Sequence, residues 1–166
     1  MRFRKTMSAA VAGLALAGAA STVGGAGPAV AATARHTLTL SGSTYITDDE
    51  VWSDEHCTRT FSDADDAQLP SDPAADVDDT DNRCGGEIRV EVHVSTILET
   101  NGALCVTTGR VLLFEGTSES TNDLDGRETF TGCVAPGTSR TWRGTVHNTD
   151  EGGDKASFTI NLTNTH

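Results

Sequence analysis

Carboxylate side chains dominate the residues of this sequence that could do chemistry. The chain has 24 Asp and Glu against 12 Lys and Arg, which gives a formal net charge of −12. Eight of the Asp residues fall within residues 62–83. Asp76, Asp78 and Asp81 offer several oxygen ligands close together there, and calcium prefers such ligands. This segment is therefore a candidate calcium site, and a solvated charge run that keeps the protein soluble is the alternative.

A second acidic candidate is the short sequence Asp123-Leu124-Asp125-Gly126. We expect Asp123 and Asp125 to project from one side of a turn, because Asp is a common turn residue and Gly126 permits a tight bend. In this one element the turn is similar to the Asp-x-Asp loops with which C2-type sandwich domains bind calcium. The resemblance implies that both carboxylates are metal ligands, and an ordinary polar turn is the alternative. No motif requires a cofactor, and calcium is the one that the sequence suggests.

The sequence motifs of nucleophilic and nucleotide chemistry are absent. There is no Gly-x-Ser-x-Gly elbow, no P-loop and no Gly-x-Gly-x-x-Gly in the chain. The five His show no His-x-x-x-His spacing. We therefore expect a non-catalytic protein. A hydrolase that uses two carboxylates stays open as the weaker alternative, because among 24 acidic residues some pair falls at a useful distance by chance.

Residues 1–31 have the three parts of a secretory signal peptide. Three basic residues within Met1–Lys5 precede an apolar run over 9–20, and small residues at 28–32 suit cleavage after Ala31, with cleavage after Ala32 as the alternative. The apolar run falls short of the roughly 20 residues that a membrane-spanning helix needs. The sequence therefore predicts a secreted, extracellular protein of the kind that bacteria export, with no membrane association once the signal is cleaved.

The four cysteines remain in the predicted mature chain, and outside the cytosol an even number indicates disulfides. Three pairings are open. We favour the sequential pairing because it closes the two shortest loops, Cys57–Cys84 and Cys105–Cys133. Zinc sites made of cysteine usually show pairs two to four residues apart. This sequence has no such pairs, so it favours disulfides over a metal centre.

Removal of residues 1–31 would make the protein more acidic. That segment holds three basic residues and no acidic ones, so residues 32–166 carry 12 − 3 = 9 basic and 24 acidic residues, a formal charge of −15. Such a surface repels nucleic acid and anionic membranes, and we expect neither as a partner. A protein or glycan partner stays open, with Trp52 as a candidate for stacking on a sugar ring.

Apolar and polar residues alternate with a period of two through residues 32–166, which predicts strands. The clearest apolar row is Ile88, Val90, Val92 and Val94, and 155–164 repeats the pattern. Asn101-Gly102 and Pro136-Gly137 are turn signals, and Gly109 indicates a bulge or bend. We predict an all-β fold, an antiparallel β-sandwich (immunoglobulin-like or C2-like) of about 7–9 strands with two disulfides; a barrel is the alternative.

Residues 62–83 interrupt this pattern. Their Asp and Pro content leaves little to bury, so we expect a long exposed acidic loop on a single domain over 32–166. A disulfide between Cys57 and Cys84 would tie the base of that loop.

These observations predict a secreted, non-catalytic β-sandwich module that binds calcium, a glycan or a protein through its acidic loops, since loops on a rigid scaffold commonly carry function. A small secreted protease inhibitor is the main alternative. Exported bacterial inhibitors of subtilisin-like enzymes also combine four cysteines with a β-rich fold.

Overall fold

The structure is a computed structural model that describes residues 34–49, 54–118, 120–150 and 152–166. The predicted signal peptide and Trp52 lie outside these residues. The described residues form nine β-strands: β1 (Arg35–Asp48), β2 (Glu55–Gln68), β3 (Ala74–Cys84), β4 (Ile88–Leu98), β5 (Leu104–Phe114), β6 (Leu124–Thr129), β7 (Gly132–Val134), β8 (Thr138–His147) and β9 (Lys155–Thr165). Within these ranges no helix has the length and apolarity to cross a membrane.

The strands form two antiparallel sheets that pack face to face. One sheet has the order β2-β1-β9-β8, and the other has the order β3-β4-β5-β6. The short strand β7 pairs with the first part of β5, whereas β6 pairs with its last part. The structure therefore confirms the predicted all-β antiparallel sandwich with two disulfides.

The core lies between the two sheets and is built chiefly from the apolar rows of β1, β4, β5 and β9. The β4 row is buried as the alternation predicts, and so is the row on β9. The residues of these two rows are Ile88, Val90, Val92, Val94, Ala156, Phe158, Ile160 and Leu162. Because successive strand residues point to opposite faces, a period of two places every second side chain between the sheets.

The prediction of a long loop over 62–83 is wrong in its secondary structure. β2 pairs along its whole length with β1, and β3 pairs with β4, so that only residues 69–73 connect them. Few apolar residues suffice here because β2 and β3 are outer strands and bury only part of one face, chiefly Phe61 and Val77. The exposure of most of the Asp residues agrees with the expectation.

The outer strands β2 and β3 meet along one side of the sandwich. Asp65 accepts a hydrogen bond from the backbone amide of Asp76 at 2.8 Å, and Asp63 accepts one from the amide of Asp78 at 3.0 Å. The edge of a sheet otherwise leaves such amides unpaired. Part of the acidic run therefore covers the free edge of β3.

The neighbouring strands β5, β6 and β7 are irregular where they meet. The register of β4 and β5 shifts at Thr107, and β6 and β7 are separated by Phe130 and Thr131. The bulge therefore lies at Thr107 and not at Gly109. Gly109 has a packing role, because a Cβ there would lie 2.5 Å from the carbonyl oxygen of Phe130 and 2.8 Å from its ring.

Both favoured disulfides are present. Cys57–Cys84 joins β2 to β3 and so links the two sheets, whereas Cys105–Cys133 joins residues that already face each other on β5 and β7. The sequence separations are 27 and 28 residues.

Replacing either cysteine pair by serine is expected to lower the free energy of unfolding by about 3.5 kcal/mol, since the two closed loops have nearly equal length. Urea unfolding followed by circular dichroism would measure this, and the two double variants should agree within about 1 kcal/mol. Amide hydrogen exchange should distinguish the two double variants. Only loss of Cys57–Cys84 should accelerate exchange along β2 and β3, and equal protection of those strands in both variants would contradict the inter-sheet role.

Candidate functional site

An open cleft of about 180 Å³ lies at the end of the sandwich where β5 and β8 end and β6 begins. Its lining comes from three separate chain segments: Glu115, Gly116, Asp123, Asp125, Asn148 and Asp150. Four of these six residues are carboxylates. We call this set the acidic cleft.

The shape of β6 aims Asp125 into the acidic cleft. The pairing of β5 with β6 shifts between Leu113 and Phe114, so that Asp125 is an extra residue opposite them. Such a bulge re-aims a side chain. Gly126 follows within the strand and is not at positive φ. The expected tight bend at Gly126 is therefore wrong. Its missing side chain lets β6 approach β8, because a Cβ there would lie 2.8 Å from Val146.

Hydrogen bonds hold the three segments of the acidic cleft together. The amide of Glu115 donates to the carboxylate of Asp125 at 2.9 Å, and the side chain of Asn148 donates to the carboxylate of Glu115. The amide of Asp150 donates to the side-chain oxygen of Asn148 at 2.7 Å. Thr149 donates its amide and its hydroxyl to the carbonyl of Asp125. The walls of the cleft are therefore fixed by the same groups that give it its charge.

The acidic cleft holds more negative charge than its surroundings neutralise. Among the described residues no Lys, Arg or His forms an ion pair with Asp123, Asp125 or Asp150. Burial raises the pKa of Asp125 above its ordinary value, and the charges of Asp123 and Asp150 raise it further, whereas the Glu115 amide opposes the shift. Only one carboxylate oxygen of Asp125 receives a hydrogen bond from a described residue, and the relative exposure of the residue is 7%.

The structure does not bring the five predicted calcium ligands to one place. Asp123 and Asp125 line the acidic cleft, but Asp76, Asp78 and Asp81 lie on β3, with β4 and β5 between β3 and β6. In the described part of the chain, no group of three or more His, Cys, Asp or Glu residues is placed to hold a metal ion. Calcium binding therefore stays a prediction.

Two of the β3 carboxylates already have partners. Asp81 pairs with Arg83 at 2.8 Å, and Asp78 accepts a hydrogen bond from the ring of His93 at 2.9 Å. The other ring nitrogen of His93 lies 2.9 Å from Glu91. The ring of His93 on β4 is therefore joined to Asp78 on β3. The sequence placed His93 on a polar face but did not indicate this link.

Sequence reasoning missed three of the five polar residues of the acidic cleft, namely Glu115, Asn148 and Asp150. Each follows the last residues of a strand, and acidic or amide residues are common in such turns. Their convergence becomes visible only when it is known which strand ends share one end of the sandwich.

Comparison with known proteins yields no match: no family model fits the chain, and neither a curated protein nor a solved structure matches it. The function therefore has to be argued from the geometry.

Asp125→Asn tests the electrostatics of the acidic cleft. A carboxyl whose pKa is raised in the folded state destabilises the fold above that pKa, and this cost disappears as the pH falls. We expect the variant to be more stable than the wild type at pH 7 by about 0.5 kcal/mol. The difference should vanish near pH 3, where both states of the wild-type carboxyl are largely protonated.

Asp66→Asn is the comparison variant, and its change in stability at pH 7 should have the opposite sign. The hydrogen bond from Arg35 lowers the pKa of Asp66, so this variant should be less stable than the wild type at pH 7, and the loss should fade in acid. Urea unfolding at pH 3, 5 and 7 measures both. Destabilisation by Asp125→Asn at pH 7 would contradict the uncompensated charge.

Proposed function

We propose that this chain is an exported, non-catalytic binding module that holds a basic side chain of a protein partner in the acidic cleft. The observation that carries the proposal is the convergence of four carboxylates on one cleft, with the nine-tenths buried Asp125 among them. One carboxylate oxygen of Asp125 receives no hydrogen bond from a described residue. A bound ammonium or guanidinium group would supply that donor and relieve the repulsion among the carboxylates.

A basic side chain fits the acidic cleft better than calcium does. Calcium needs six to eight oxygens at about 2.3–2.6 Å, and the described residues offer no trio placed for a metal. A guanidinium carries its own fork of five donors and needs only two or three acceptors. A volume of about 180 Å³ is suited to one such side-chain end. Calcium is therefore the second candidate, and it rests on the Asp-x-Asp sequence.

The charge of the whole domain supports a cationic partner. A formal charge of −15 over residues 32–166, from 9 basic and 24 acidic residues, steers cationic molecules toward the surface. Salt screens this attraction over about 10 Å at 0.1 M. Binding should therefore weaken as the salt concentration rises.

Export is supported by the signal-like sequence of residues 1–31 and by the two disulfides, which persist in oxidising compartments. The protease-inhibitor alternative needs a protruding reactive loop. Residues 62–83 are mostly paired strand, so this segment gives that alternative no support. No observation on the described residues favours a hydrolase.

Expression of the full chain in a bacterium with a general secretion pathway should release a protein that begins at Ala32. Its intact mass should correspond to 166 − 31 = 135 residues with two disulfides. N-terminal sequencing and mass spectrometry of the medium measure both. Retention of an uncleaved chain in the cell fraction would contradict export.

A capped hexa-arginine peptide is a direct probe of the acidic cleft. We expect saturable changes of the amide chemical shifts of residues 115–125 and 148–150. Asp123→Asn combined with Asp150→Asn should weaken peptide binding at least tenfold, about 1.4 kcal/mol, because two of the four carboxylates lose their charge.

The matched control is Asp72→Asn combined with Glu99→Gln, which changes the net charge by the same amount in exposed turns at the other end of the sandwich. This control should keep the peptide affinity within about threefold of the wild-type affinity. An equal loss of peptide affinity in both double variants would contradict binding in the acidic cleft, because net charge alone would then explain the effect. Saturable shifts of the same amides by calcium chloride alone, at matched ionic strength, would make the cleft a calcium site instead.

A further inference from the structure

A groove of about 270 Å³ lies on the outer face of the second sheet, where the bulge of β5 faces the break between β6 and β7. Arg110 on β5 and Arg127 on β6 both line it. Arg110 is paired with Thr129, and Arg127 is paired with Leu112. The two arginines are therefore diagonal neighbours on one face, with Cα atoms about 7–8 Å apart.

These two arginines differ from most others in the chain. Arg35, Arg83 and Arg89 pair with Asp66, Asp81 and Glu91. Arg110 and Arg127 form no ion pair and no hydrogen bond with any described residue, and the Nε of Arg110 is buried without an acceptor. Carboxylates are abundant in this chain, yet no described carboxylate forms an ion pair with Arg110 or Arg127.

Threonine hydroxyls and an aromatic ring complete the lining of the groove. The hydroxyls of Thr108, Thr129 and Thr131 have no hydrogen-bond partner among the described residues, and all three line the groove. Phe130 lies beneath them, 8% exposed, with its amide bonded to the carbonyl of Gly109 at 2.9 Å. The groove therefore presents hydrogen-bond donors over a packed aromatic floor.

We infer that this groove binds an oxoanion group, a carboxylate or a phosphate, of a small ligand between Arg110 and Arg127. Guanidinium groups recognise such anions through paired hydrogen bonds, and hydroxyl donors can complete the shell. The acidic surface elsewhere repels anions, so an anion is retained only where two unpaired arginines act together. The site is independent of the acidic cleft, because it uses other residues and the opposite charge.

The test uses sodium phosphate and sodium acetate as separate probes of the mature protein, with sodium chloride at equal ionic strength as the reference. Amide and arginine Nε chemical shifts should change saturably at residues 107–110 and 127–131. A stronger response to phosphate than to acetate identifies a phosphate site, and the reverse identifies a carboxylate site. Chloride alone should not saturate these shifts.

Arg127→Gln should lower the affinity for the anion at least tenfold, and Arg110→Gln should do the same. Arg127 is exposed, so its variant keeps the test valid if loss of the partly buried Arg110 impairs folding. Arg143→Gln is the matched control. Arg143 is also an exposed arginine without a partner among the described residues, but it lies on β8 in the other sheet. Equal weakening by Arg143→Gln, or shifts that fail to saturate with either probe, would overturn the inference.

Discussion

The edges of the two sheets have to be covered, and on the β2–β3 side carboxylates and a disulfide cover them. Asp63 and Asp65 accept the amides that β3 would otherwise leave unpaired, and Cys57–Cys84 holds the two strands side by side. An uncovered edge of this length would invite pairing with another chain. The rest of the sandwich depends on this closure, because β2 and β3 have few apolar side chains with which to dock.

This closure gives the acidic composition a structural reason. Part of the negative charge serves as hydrogen-bond acceptors along an edge, and part pairs with arginine or with the ring of His93. Four other carboxylates line the acidic cleft, where no described cation pairs with Asp123, Asp125 or Asp150. Charge that has an internal partner is unavailable to a ligand, so the acidic cleft is distinguished by carboxylates that line one cleft and have no described cationic partner.

Strand positions and core rows could be predicted from the sequence because burial imposes a period of two, as it does from Ile88 to Val94. The cysteine pairing followed from loop length. The strands within residues 62–83 could not be predicted, since their stability comes from neighbours far away in sequence. Pattern and propensity describe local preference, whereas β2 is held by β1, and the amides of β3 are held by side chains of β2.

The acidic cleft and the groove at Arg110 have the same structural origin, which the sequence pattern does not indicate. Each lies beside a bulge, at Asp125 in β6 and at Thr107 in β5. A regular strand would send alternate side chains strictly to the core or to solvent. One inserted residue breaks that rule: in β6 it aims a buried carboxylate into a cleft. In β5 it opens a groove beside Arg110. Since β6 contributes Asp125 to the cleft and Arg127 to the groove, a single short strand separates two concave surfaces of opposite charge, each shaped by a bulge.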